Sequence, residues 1–132
     1  MPEFALTAHA TAPVEEVWKL VHDPSRFPEW WQGIETVRVG PDDVYTMWPQ
    51  GYPDFPMDQR LDVSPGRVTI SCLVSDLVFT WELRPDGDET DIDVRVEIPP
   101  VEAHRLEAQR EGIERSLVAL AGLAGTAQES GR

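Results

Sequence analysis

Apolar and polar positions alternate with period two through Glu3–Ala10, so Phe4, Leu6, Ala8 and Ala10 share one side of a predicted strand over residues 3–11. The period then changes. Val14, Val17, Trp18 and Val21 recur at the spacing of one helical face across residues 13–22. Pro13 at the helix start and Glu15 and Glu16 in the first turn suit a helix N-terminus, which tolerates a missing N–H and favours negative charge. Asp23-Pro24 stops this helix, and Pro24 to Trp31 reads as a short second one broken by Pro28. Strand-and-turn alternation follows, with segments near 34–39, 43–48, 57–63, 67–74, 77–84 and 90–98. Gly40-Pro41-Asp42-Asp43, Ser64-Pro65-Gly66 and Pro85-Asp86-Gly87-Asp88 punctuate them. Short connections of this kind make an antiparallel meander.

Parity assigns the faces. Val68, Ile70, Cys72 and Val74 share one side, as do Leu77, Phe79, Trp81 and Leu83, and Ile92, Val94, Val96 and Ile98 oppose charged neighbours. A sheet with one dry face needs a cover, and a helix from Pro99-Pro100 to about Gly125 supplies it. Its apolar stripe comprises Ala103, Leu106, Ile113, Leu117, Leu120, Ala121 and Ala124, with Gln109 and Arg110 flanking a polar gap beside Gly112. The predicted fold class is α+β. A curved antiparallel sheet of about seven strands wraps a long C-terminal helix, in one domain over residues 1–125. Residues 126–132 have no apolar pattern and read as a disordered tail.

Ala12-Pro13-Val14-Glu15-Glu16-Val17-Trp18, the Asp23-Pro24 break and Pro28-Glu29-Trp30 together resemble the opening of START-like proteins. This superfamily has the helix-grip fold of polyketide cyclases, birch-pollen-allergen-like proteins and lipid-transfer domains. The resemblance covers nearly the whole chain and implies a hydrophobic cup between sheet and helix. It also implies two activities: binding of a small apolar, aromatic, polyketide-like or lipid-like molecule, or polyketide cyclase/dehydratase chemistry. A third, chaperone-associated interaction, is shared by other members of the fold family.

Composition narrows the partners. The chain has 132 residues, enough for one core, with 24 acidic and 11 basic residues and a net charge of −13. Phosphate backbones and anionic membrane surfaces are repelled by such a balance, so no nucleic acid and no membrane insertion are expected. No apolar run approaches the roughly 20 residues needed to span a bilayer. With Cys72 alone and no secretory signal pattern, the expectation is a cytoplasmic location, without a disulfide or thiolate metal site. A homodimer is compatible with the sequence.

Candidate chemistry lies where side chains face the cup. Parity puts Met57 and Gln59 together, and assigns Thr46 and Trp48 inward with Val44, leaving Tyr45 outward. The inward polar groups are then Thr46, Gln59, Cys72, Gln109 and Arg110. Phe79 and Trp81 face in from mid-sheet, and Trp31 ends the second helix. Tyr52 and Phe55 sit in the proline-rich loop 49–56, too short to hold its own core, and read as a lid hinged at Gly51. In plant hormone receptors of the resembled fold, the connection after the third strand closes over ligand. The expected ligand contacts are therefore Trp31, Thr46, Trp48, Tyr52, Phe55, Met57, Gln59, Cys72, Phe79, Trp81, Gln109 and Arg110. Aromatase/cyclases of the superfamily use an inward arginine with a hydroxyl, which makes Arg110 the candidate catalytic group. His9, His22 and His104 show no metal-ligand spacing, so neither metal nor cofactor is expected.

Overall fold

Alternation in the first strand leaves Phe4 and Ala10 buried and His9 exposed, as parity requires. The computed structural model describes residues 2–73 and 75–130, the last five by backbone only. Its elements run β1 (Glu3–Ala10), α1 (Val14–Val21), a 3₁₀ helix (Pro24–Glu29), β2 (Ile34–Val39), β3 (Val44–Pro49), β4 (Met57–Ser64), β5 (Arg67–Cys72), β6 (Val78–Asp86) and β7 (Glu89–Glu97), then a second 3₁₀ helix (Pro100–Arg105) leading into α2 (Leu106–Ser130). All seven strands join one antiparallel sheet in the order β1-β7-β6-β5-β4-β3-β2. β1 and β2 are thus opposite edges. The helical segment between them carries the chain from one edge to the other, while short connections join β2 through β7 in turn.

The inner face is closed from two sides. α2 lies over β1 and packs against α1, with Ile113, Leu117, Leu120 and Ala124 buried. The first 3₁₀ helix covers the middle with Phe27, Trp30 and Trp31. Asp23 starts that helix by accepting from the Ser25 N–H at 3.1 Å, and Pro24 sits where no N–H is needed. The Trp30 indole donates to the Leu20 carbonyl at 3.0 Å, locking this segment to α1. Trp30 and Trp31 then meet Trp81 edge-on, each at 5.2 Å between centroids. Such edge contacts set the positive rim of one ring against the negative face of another.

Several expectations are corrected. The short helix expected over Pro24 to Trp31 is of 3₁₀ type and ends at Glu29, with Pro28 inside it instead of breaking it. Ala103 is exposed instead of lying on the buried stripe, since Pro100–Arg105 winds at 3₁₀ pitch and the angular progression differs there. α2 continues past Gly125 to Ser130, where a tail was expected; residues 131–132 and the inward assignment of Val74 lie outside the described residues. Trp81 faces in and is fully buried, but it is enclosed by other aromatic rings, and its indole N–H has no hydrogen-bond partner among the described residues. No described helix is long and apolar enough to cross a membrane.

Two predictions test this packing. Truncating Trp81 to Ala should cost about 3–5 kcal/mol in urea unfolding, because the surrounding rings are anchored and collapse poorly into the space; a loss below about 1 kcal/mol would contradict the packing. On the outer face, His9 bonds Asp91 at 2.8 Å and also meets Glu89, which ties β1 to the β7 hairpin. These bonds, that to Asp91 first, raise its pKa from 6.5 to about 9. The folded value exceeds the unfolded one, so the tie is fully present below about pH 6.5 and fades as pH rises through about 9. Melting curves of wild type and His9→Gln should therefore converge between these pH values, and a constant gap would contradict the tie.

Candidate functional site

A cleft of about 230 Å³ lies between the inner faces of β3 to β6 and the start of the C-terminal helical segment. Its apolar lining comprises Trp31 and Ile34 on one side, Met47 and Met57 at the edge, Leu77 just before β6 and Phe79 within it. Trp31 meets Phe79 edge-on at 5.0 Å, so the deep end is aromatic. Polar groups share the lining: Gln32, Gln59, Ser75 and Gln109, with Glu102 and Arg105 at the entrance.

The cleft opens into a vestibule of about 790 Å³, lined among others by Gln50, Tyr52 and Phe55 from the 49–56 loop and by Ala108, Gly112 and Arg115 from α2. Two glycines shape the rim. Gly33 has φ +98° and Gly51 has φ +82°, a left-handed backbone that costs other residues energy. The Gly33 carbonyl accepts from Gln50 N at 2.9 Å, stitching the loop to the strand entry. Ser116 fixes the opposite wall, accepting from Gln32 N at 2.9 Å and donating to the Gly112 carbonyl at 2.7 Å. The loop itself is two successive turns, Tyr52 N to Pro49 O at 3.2 Å and Phe55 N to Tyr52 O at 3.2 Å. Tyr52 and Phe55 pack on each other edge-on at 6.2 Å and remain 60% and 66% exposed.

Behind the cleft the Tyr45 hydroxyl donates to Gln59 Oε1 at 2.5 Å, with both residues buried and Gln59 the one that lines the cleft. Burial pushes the Tyr45 phenol well above the ordinary tyrosine value, so it stays protonated and serves as a donor, not a base. The bond engages the Gln59 amide oxygen, and its NH₂ donors remain for a guest.

The structure brings Trp31, Met57, Gln59, Phe79 and Gln109 together around the cleft, and Tyr52, Phe55, Met57 and Gln109 around the vestibule. Thr46 and Trp48 face the other way. β3 pairs Tyr45 with Gln59 and Thr46 with Asp58, so Tyr45 and Met47 point in. Thr46 donates to Asp58 at 2.6 Å on the outer face, and Trp48 lies under the Arg38 guanidinium at 5.6 Å. The inward assignment was one residue out, and a one-residue slip reverses every side chain. Arg110 is exposed and pairs with Glu114 at 3.4 Å, so it offers no inward guanidinium. Cys72 is buried opposite Gln59 on β5 without lining the cleft, and Trp81 sits behind Trp31 and Phe79.

Tyr45, Met47, Leu77, Arg105 and Ser116 are the residues that sequence reasoning missed. Ser116 had a signal: it falls within the Ile113–Leu117–Leu120 stripe, where a buried hydroxyl needs a partner. At the far edge of the sheet, folding also gathers His9, Asp86 and Asp91, whose ligand-type atoms lie within 4.8 Å of one another. No sequence spacing showed this group. His9 is already engaged there by carboxylates on both ring nitrogens.

Known structures share this architecture. The Zhui aromatase/cyclase from a Streptomyces species is similar at TM-score 0.72 and 19% identity, over 99% of this chain and 96% of that one. A Chromobacterium violaceum protein is similar at TM-score 0.73 and 24% identity, over 95% and 99% of the two chains. A START superfamily protein from Mycobacterium smegmatis is similar at TM-score 0.70 and 13% identity, over 87% and 93%. Such identities speak for the fold. No match was found among curated protein sequences. The wrapped helix, the aromatic-ended cleft and a match of residues 1–128 to the family described as polyketide cyclase / dehydrase and lipid transport lead to one assignment: the chain belongs to that family.

Proposed function

We propose that this domain binds a small apolar or aromatic molecule, polyketide-like or lipid-like, in the cleft between sheet and C-terminal helix. The observation that carries the reading is the cleft wall. Trp31, Ile34, Met47, Met57, Leu77 and Phe79 present apolar surface, with Gln32, Gln59, Ser75 and Gln109 set among them and Glu102 and Arg105 at the entrance. Apolar walls with a few placed polar groups are the usual composition of a small-molecule site. Tyr52 and Phe55 edge the vestibule as a lid that swings about Gly51, the prolines on either side keeping the loop a unit. Its setting is the cytoplasm, in keeping with a single unpaired Cys72.

A second reading is catalytic, cyclisation or dehydration of a polyketone. It is favoured by Gln59 in the cleft lining, held from behind by Tyr45, and by the fold shared with an aromatase/cyclase. Donors fixed in a dry site polarise a carbonyl more strongly than water does. Arg110, outside the cup, has no part in it. The exposed rings of Tyr52 and Phe55 are what a protein-interaction module would also show, but they line the vestibule and pack on each other.

The neutral dye N-phenylnaphthylamine tests the first reading. It should brighten on binding, and Met57→Trp should abolish the signal by filling the cleft while the thermal transition persists. Replacing Tyr52 and Phe55 together with serine should raise the dye's dissociation rate with the fold intact, since neither belongs to the core. A dye that never binds, or that binds Met57→Trp as well as wild type, overturns the cleft reading. For the catalytic reading, a linear polyketone thioester should be turned over by wild type and spared by Gln59→Leu by about two to three orders of magnitude in rate, as for loss of one oxyanion donor. Absence of wild-type turnover leaves the domain a binder.

A further inference from the structure

The vestibule inverts the charge of the protein. The chain carries 24 acidic and 11 basic residues, yet the vestibule is bordered by two arginines, Arg105 and Arg115, and by no carboxylate among the described residues. Most arginines elsewhere are neutralised: Arg67, Arg84, Arg95 and Arg110 each hold a carboxylate at 2.7–3.4 Å. Arg105 reaches Glu102 only at 3.7 Å, and among the described residues Arg115 makes no ion pair. The nearest carboxylate placed by the structure is Glu102, at the cleft entrance rather than in the vestibule lining.

The two guanidiniums also belong to one continuous surface of the helical segment. Arg105, Ala108, Gln109, Gly112 and Arg115 recur every three or four residues and so share a face. Between the cations stand Ala108 and Gly112, the smallest side chains available. A Cβ added at Gly112 would meet nothing within 4 Å, so the glycine leaves open space there. Gln32, Gln50 and Gln109 surround the same space with uncharged donors.

Resting on the cleft reading above, we infer that the guest is an anionic amphiphile. Its apolar or aromatic body enters the cleft, and one oxyanion head, a carboxylate or a phosphate monoester, lies in the vestibule between Arg105 and Arg115. Arginine suits this task because its planar fork matches two oxygens of either head at once. Both arginines are exposed, which keeps desolvation modest, so the gain comes from charge-assisted hydrogen bonds.

Displacement of bound N-phenylnaphthylamine by three probes that share a naphthyl body tests the inference: naphthoate, naphthyl phosphate and neutral naphthamide. At low salt at least one anion should bind about tenfold more tightly than naphthamide, the gain expected of hydrogen bonds to a charged group. The advantage of anion over naphthamide should vanish in Arg105→Gln/Arg115→Gln and should persist in Arg110→Gln. A greater gain for naphthyl phosphate assigns the head as phosphate, and an equal or smaller one as carboxylate. If naphthamide matches both anions while the dye still binds, the head-group inference is overturned and the cleft reading stands. If Arg110→Gln loses the advantage as fully as the double variant, the effect is one of net charge and the inference is overturned as well. If neither dye nor any probe binds, both fall together.

Discussion

The apolar face of the sheet is longer than the apolar stripe of the helix laid over it. On α2 the fully buried stripe runs from Ile113 through Leu117, Leu120 and Ala124, and before it only Leu106 packs partly against the core. The preceding turns offer Arg105, Ala108, Gln109 and Gly112, which cannot seal a dry surface. Under the first stretch the sheet meets a packed core, and under the second its inner face stays open to the vestibule. Phe27, Trp30 and Trp31 cover part of the shortfall from the connection between β1 and β2. What they leave uncovered is the cleft. A cavity in this architecture therefore needs no missing atoms in the core, only a helix whose apolar face ends early.

The boundary between packed core and cleft is an aromatic wall. Trp31 serves both sides, meeting Trp81 behind and Phe79 in front. Its neighbour Trp30 is anchored on Leu20, so the wall has a fixed backbone attachment on one side. The cost of the arrangement shows at Trp81, whose indole N–H is buried without a partner among the described residues, an omission worth about 1–3 kcal/mol. Rings that meet edge-on at about 5 Å between centroids recover part of that loss. Stability is given up where the wall must be rigid.

Much of the fold was legible in the sequence because its signals were periodic. The β5, β6 and β7 faces alternate over six to nine residues, and the turn residues between them leave little freedom. The site was less legible. In β3 both faces carry apolar or aromatic residues, Val44, Thr46 and Trp48 on one and Tyr45 and Met47 on the other, so parity alone cannot choose. The choice is made across strands, where Tyr45 finds Gln59 and Trp48 finds Arg38. Arg110 failed for a related reason. A continuous α-helix from Pro100 places it beside the polar gap, whereas the 3₁₀ winding of Pro100–Arg105 shifts the phase of the α-helix beyond it. Arg105, at that junction, reaches the cleft instead.

Electrostatics adds a last constraint. A net charge of −13 repels anions at long range, which would leave an arginine-lined opening ineffective if the whole surface acted together. Physiological salt confines such fields to about 8 Å, so a guest already at the rim responds to the groups bordering it and little to the far surface. Many of the acids are also engaged in local pairs: Glu82 with Arg67, Asp93 with Arg84, Glu3 with Arg95, and Glu89 and Asp91 with His9. These lie on β1, β5, β6 and β7, while the vestibule lies beyond the far side of β4. Ionic strength would then act on the two scales in opposite directions. Added salt relieves the distant repulsion that slows an anion's approach, and it weakens the rim attraction that holds the anion once there. Arrival and residence should therefore respond to salt with opposite signs, a separation that a uniformly acidic protein with no cationic rim would not show.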